Sequence, residues 1–161
     1  MERIKVSFSL IFLLVTLSTF AQMNTNFKLP DTWEKDLTIK VSYHSSMSGG
    51  KTEITFTFDS CTYMNQSHHS KKPKHGNFKM KEADRIAILR KLHELKADQI
   101  KSEHSLHAVR DGWSQSICFD SHCIEGGTSA EMSEDDKDQF LTAFQFLEEY
   151  AMNKKVRIAK K

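Results

Sequence analysis

From Leu37 onward the chain alternates. Leu37, Ile39, Val41 and Tyr43 are separated by Thr38, Lys40 and Ser42, the period of a strand with one buried face. After a Ser/Met/Gly turn at 45–50, Ile54, Phe56 and Phe58 alternate with Glu53, Thr55 and Thr57 in a second strand. Asp59-Ser60 then offers a tight turn into a third strand over Cys61–Asn65. The polar segment Gln66–Asn77 reads as a long loop, followed by a short strand around Phe78–Met80.

The period changes at Glu82. Ile86, Leu89, Leu92 and Leu95 recur every third residue with Ile88 alongside, which predicts an amphipathic helix over Glu82–Leu95. Asp111-Gly112 is a strong hairpin signal, because both residue types accept positive φ, and it joins a weak strand near Leu106–Arg110 to Trp113–Phe119. Asp120-Ser121 turns that strand into His122–Glu125, and Gly126-Gly127 is expected to end the sheet. Ser133 with Asp136 three residues on resembles a capping box. The helix it opens carries Phe140, Leu141, Phe144, Leu147 and Tyr150 on one broad face and ends near Met152. Runs of strands, each followed by a helix, define an α+β class. The expected architecture is a mostly antiparallel sheet of about six or seven strands with two amphipathic helices on one face. Phe58-Asp59-Ser60 recurs as Phe119-Asp120-Ser121, but no longer period supports an internal repeat.

The ends differ from this body. Arg3 and Lys5 precede an apolar run, Phe8–Leu17, and the small residues Thr19 and Ala21 follow it. That order is a signal peptide over residues 1–21, cleaved between Ala21 and Gln22. The run falls short of the roughly 20 apolar residues a spanning helix needs. The residue after the cleavage site is Gln22 rather than cysteine, so no lipid anchor is expected there, and the mature chain is expected to have no membrane segment. Residues 22–36 read as a loose lead-in broken at Pro30-Asp31, with Trp33 tucked onto the body. Residues 37–153 form the single domain, and 154–161 a basic tail holding Lys154, Lys155 and Arg157.

Charge sharpens that division. Without Glu2, Arg3 and Lys5 the chain has 21 basic and 20 acidic residues, and without the tail the basic count falls to 16. A net-acidic body with aromatics in core alternation does not suit nucleic acid, which selects positive charge on a folded face. Eleven Phe and seven Met, against two Pro and six Gly, describe a globular chain able to fill one core.

Three cysteines follow the signal: Cys61, Cys118 and Cys123. With Asp120-Ser121 as the loop, Cys118 faces Cys123 in a non-hydrogen-bonded pair about 4.5 Å apart at Cα, within disulfide reach. The bridge would lie on the polar face with Ser114, Ser116 and Glu125. Cys61, expected opposite Phe58, points to the core as a small hydrophobe. His44 is no base for it, being at the opposite end of the strand pair, about 20 Å away at strand rise.

His68, His69 and His75 share a loop with Lys71, Lys72 and Lys74. Three imidazoles are candidate ligands for Cu(II), Ni(II) or Zn(II), although three lysines repel a cation and no carboxylate lies in the loop. The same lysines, with Lys154, Lys155 and Arg157, are candidate surface-binding groups, the tail for anionic lipid or polysaccharide phosphate. Glu134, Asp135, Asp136 and Asp138 complement the positive end of the last helix. His93 beside Leu89 is a boundary residue, and His104 and His107 have no evident partner. The chain has no phosphate-binding glycine loop, nucleophile elbow or His-Glu-x-x-His motif.

These features favour an exported, non-enzymatic interaction module, secreted or periplasmic, with no cofactor and with an unknown protein or envelope component as partner. A metal-binding protein using the histidine loop and a hydrolase with an unrecognised site are the alternatives.

Overall fold

The computed structural model of the chain describes residues 27–67, 72–104, 112–128 and 130–159. Alternation builds most of the sheet. Strands β1 (Ile39–Ser45), β2 (Lys51–Phe56), β3 (Ser60–Gln66) and β4 (Lys74–Lys79) form an antiparallel meander. Helix α1 (Glu82–Glu94) and a single 3-10 turn at Ala97–Gln99 follow. Strands β6 (Trp113–Phe119) and β7 (His122–Gly127) then return as a hairpin to the free side of β1. The six-stranded order is β4-β3-β2-β1-β6-β7, antiparallel throughout. Two short strands, β5 (Glu103–His104) and β8 (Ala130–Glu131), pair separately, and helix α2 (Glu134–Ala159) closes the fold. This is the expected α+β class.

One face of the sheet is the core. Phe78, Cys61, Phe56, Ile39, Phe119 and His122 lie in register across six strands, with Ile54, Val41, Ile117 and Ile124 in the next row. Ile88, Leu89 and Leu92 of α1 and Phe140, Ala143, Phe144 and Leu147 of α2 cover them. Helix α2 approaches β7 closely at Gly126, where a Cβ would stand 2.3 Å from the Phe140 ring. Only glycine permits that contact, so Gly126 sets the depth of the helix.

Several local expectations differ. The β2–β3 turn is Thr57–Ser60, tied by Thr57 N–H to the Ser60 carbonyl at 2.8 Å, so Cys61 pairs with Phe56 and Phe58 sits in the turn. β3 and β4 extend into the segment expected to be loop, because the inward positions of β4 include Lys74 and Gly76 and give no apolar alternation before Phe78. On α1 the buried stripe is Asp84, Ile88, Leu89 and Leu92, while Ile86 is 57% exposed. Gly126 and Gly127 belong to β7. β5 and β8 are too short to carry a period, and the expected strand near Leu106–Arg110 lies outside the described residues.

Both chain ends are more integrated than their composition suggests. Leu29 and Trp33 are buried, Trp33 donates its indole N–H to the Leu37 carbonyl at 3.0 Å, and Phe27 stacks on Phe119 and His122. Leu29 N–H reaches Asp98 Oδ2 at 3.1 Å. Leu29 and Trp33 therefore belong to the core, with Phe27 packed against it. Helix α2 runs to Ala159, past Met152, so the boundary placed between 153 and 154 falls inside a helix.

Candidate functional site

Among the described residues, no helix covers the second face of the sheet. Period-2 geometry projects onto it the polar residues of every strand. One row reads Asn77, Thr62, Thr55, Lys40, Cys118 and Cys123, and the next His75, Met64, Glu53, Ser42, Ser116 and Glu125. None of these side chains is buried. Ser42 and Ser116 share a hydroxyl hydrogen bond at 2.7 Å, and Lys51 pairs with Glu53 at 2.7 Å. The exposed Lys51–Glu53 ion pair contributes little to stability, roughly 0–1 kcal/mol, so these charges are free to serve contact rather than folding.

Cys118 and Cys123 are directly opposed across β6 and β7, with their sulfurs bonded at 2.09 Å and Cα atoms 4.0 Å apart. Cys118 is half-buried and Cys123 exposed. The turn between them docks onto β1: Asp120 adopts φ 53°, its carboxylate accepts the Thr38 N–H at 2.7 Å, and its own N–H reaches the Thr38 carbonyl at 2.9 Å. Cys61 is a free thiol in the core, and burial pushes it up to about 12. At neutral pH it is not a nucleophile.

Of the histidine loop, the described residues include only His75. His75 lies in β4 on the uncovered face beside Met64, while His68, His69 and Lys71 lie outside the described residues. Among the described residues, no three His, Cys, Asp or Glu side chains converge as a metal site. Lys72 and Lys74 are exposed. His93 meets the Pro30 carbonyl through Nε2 at 3.0 Å, and His104 Nδ1 lies 3.4 Å from Glu125 Oε2. Ser133 caps α2 by accepting the Asp136 N–H at 3.1 Å; its hydroxyl donates to Asp136 Oδ2 at 2.7 Å.

Spacing alone did not reveal the cluster at Asp84. This carboxylate is 2% exposed, accepts the Lys81 N–H at 2.9 Å and the Tyr150 hydroxyl at 2.7 Å, and pairs with the Lys154 ammonium. Lys154 is thus a structural partner, correcting its placement among free tail charges. Its contact joins the start of α1 to the C-terminal part of α2. Lys155 and Arg157 continue that helix. Nearby, burial raises the Glu148 carboxyl, with Glu149 adding to the effect; burial also raises Tyr63, helped by Glu148.

No protein-family model matches the sequence, and comparison with curated proteins likewise returns no match. Among the described residues, no helix is long and apolar enough to cross a membrane.

Proposed function

We propose that this chain is an exported, non-enzymatic binding module acting in the periplasm or outside the cell, after cleavage between Ala21 and Gln22. It engages a protein or envelope component through the uncovered face of its sheet. The observation that carries this reading is the face itself, a continuous polar surface spanning all six strands opposite a packed core. Strand spacing and rise give it a footprint about 24 Å by about 17 Å. That is on the scale of the centre of a standard interface, which removes about 800 Å² of accessible surface from each partner. Lys40, Lys51 and Lys79 outnumber Glu53 and Glu125 there, which favours a partner carrying acidic groups. The Cys118–Cys123 bridge suits an oxidising compartment.

A photo-crosslinking residue at Thr62, exposed on the face, compared with one at Thr142, exposed on α2, tests the surface. In its native envelope, Thr62 should give a discrete adduct that Thr142 does not. Equal labelling, or none at Thr62, refutes the assignment. Intact mass of exported material should begin at Gln22, and material retaining Met1 refutes the processing.

A further inference from the structure

We propose that the Cys118–Cys123 bridge is a thiol–disulfide exchange site whose substrate is a dithiol, a role independent of the binding function above. Three features of its position carry the inference. The bridge closes only a six-residue segment, so in the chain-entropy model it adds little to a hairpin already held by Ile117, Phe119 and Ile124 in the core. Both redox forms can therefore keep the fold. The sulfurs lie on the uncovered face, where exposure favours a labile rather than a purely structural bridge. Finally, β7 is the last strand of the six-stranded sheet, and Cys123 borders a cleft of about 890 Å³ together with His122, Lys101 and Glu103.

Attack on a disulfide runs along the S–S axis, with the thiolate meeting one sulfur from the side opposite the sulfur that leaves. The axis crosses from β6 to β7, so a nucleophile reaching Cys123 approaches past the outer edge of β7, beside the Ser102 hydroxyl that accepts the Glu125 N–H at 3.0 Å. A thiolate of the incoming dithiol bonds to Cys123 Sγ, the S–S bond breaks, and Cys118 leaves as a thiolate. The second thiol of the substrate, once deprotonated, then attacks the mixed disulfide at the substrate sulfur and releases the Cys123 thiolate. The two thiolates take up the two protons. The substrate is oxidised to its disulfide and the protein reduced to its dithiol, with two electrons transferred.

Lys40 stands directly across from Cys118 on β1, on the same face, and is exposed. Its ammonium is a positioning charge for the leaving thiolate. Glu125 lies in the adjacent row and Asp120 at the turn, so the Lys40 charge acts against two nearby carboxylates. Removing one charge about 6 Å away in a solvent-exposed setting should slow the first step about three- to tenfold.

The test is reduction of the native oxidised protein by dithiothreitol without denaturant, followed by alkylation and peptide mapping. Cys118 and Cys123 should become labelled while Cys61 stays unlabelled and far-UV circular dichroism is unchanged. Lys40→Met should show the slower rate, and Lys40→Arg should restore it. If reduction proceeds only as fast as global unfolding, with Cys61 labelled in parallel, the bridge is a staple and the proposal fails. An unchanged rate in a folded Lys40→Met overturns the role of Lys40. The unaltered chain decides the exchange itself whatever the variants do.

Discussion

Replacing Asp84 by Ala should destabilise the domain by about 3 kcal/mol, more than any surface substitution nearby. The carboxylate is 2% exposed and serves three donors: the Lys81 N–H, the Tyr150 hydroxyl and the Lys154 ammonium. Loss of a helix-capping acceptor costs about 1 kcal/mol. A hydrogen bond to a charged group is worth about 1.5–3 kcal/mol, and the Tyr150 hydroxyl loses such a bond. Breaking a fully buried ion pair costs about 3–5 kcal/mol, but the Lys154 side chain is 30% exposed and can turn its charge toward water. That places the total near the lower end of the range. Lys81 and Tyr150 use different oxygens of the carboxylate, so Asp84→Asn keeps an acceptor for only one of them and also loses the charge; it should cost less than Asp84→Ala, about 2 kcal/mol. Urea unfolding of the three proteins, followed by circular dichroism, gives the differences from the midpoints at constant slope. A loss below about 0.5 kcal/mol for Asp84→Ala, the range of ordinary surface substitutions, would falsify the reasoning.

Three further outcomes are expected. Gly126→Ala should lose about 1–3 kcal/mol in the same assay, because the Phe140 ring occupies the space of the new methyl. Glu148→Gln should raise stability at pH 7: burial raises this carboxyl above its ordinary 4.5, so the native state prefers it neutral and is penalised once it ionises. The gain should disappear as pH falls below 4.5, where the group is protonated in both states, and a gain that persists there refutes the assignment. Ile86→Lys should stay within about 0.5 kcal/mol of the parent in the urea assay, since Ile86 is 57% exposed despite its place in the sequence stripe.

Where a segment has one polar and one apolar face, the sequence shows it. β1, β2, β6 and β7 and the Cys118–Cys123 register were legible because alternation and the Asp-Ser turn fix pairing together. β4 was harder: its inward residues include Lys74 and Gly76, leaving Phe78 as the one large apolar signal. The packing of Trp33 was expected from its bulk, but that of Phe27 and Leu29 was hidden because isolated apolar residues in irregular backbone have no period. On α1, Ile86 and Leu95 completed an apparent stripe whose true axis passes through Asp84, a charged residue that burial rules count as outside. Asp84 meets Tyr150 and Lys154 across 66 and 70 positions of sequence, and local patterning has no reach at that distance. The uncovered face was readable residue by residue, but that no helix crosses it depends on where α1 and α2 pack.

The strand order has a consequence for how the chain is made. β1 sits inside the sheet between β2, its neighbour in sequence, and β6, which is synthesised about 70 residues later. A chain emerging from its N-terminal end can complete the β1–β4 meander early, but one side of β1 then has no partner until Trp113–Phe119 follows. During that interval the backbone donors and acceptors along Ile39–Ser45 are an open template for another chain, backed by the apolar side chains of Ile39 and Val41. The arrival of the β6–β7 hairpin is therefore the event that ends the vulnerable stage of biogenesis.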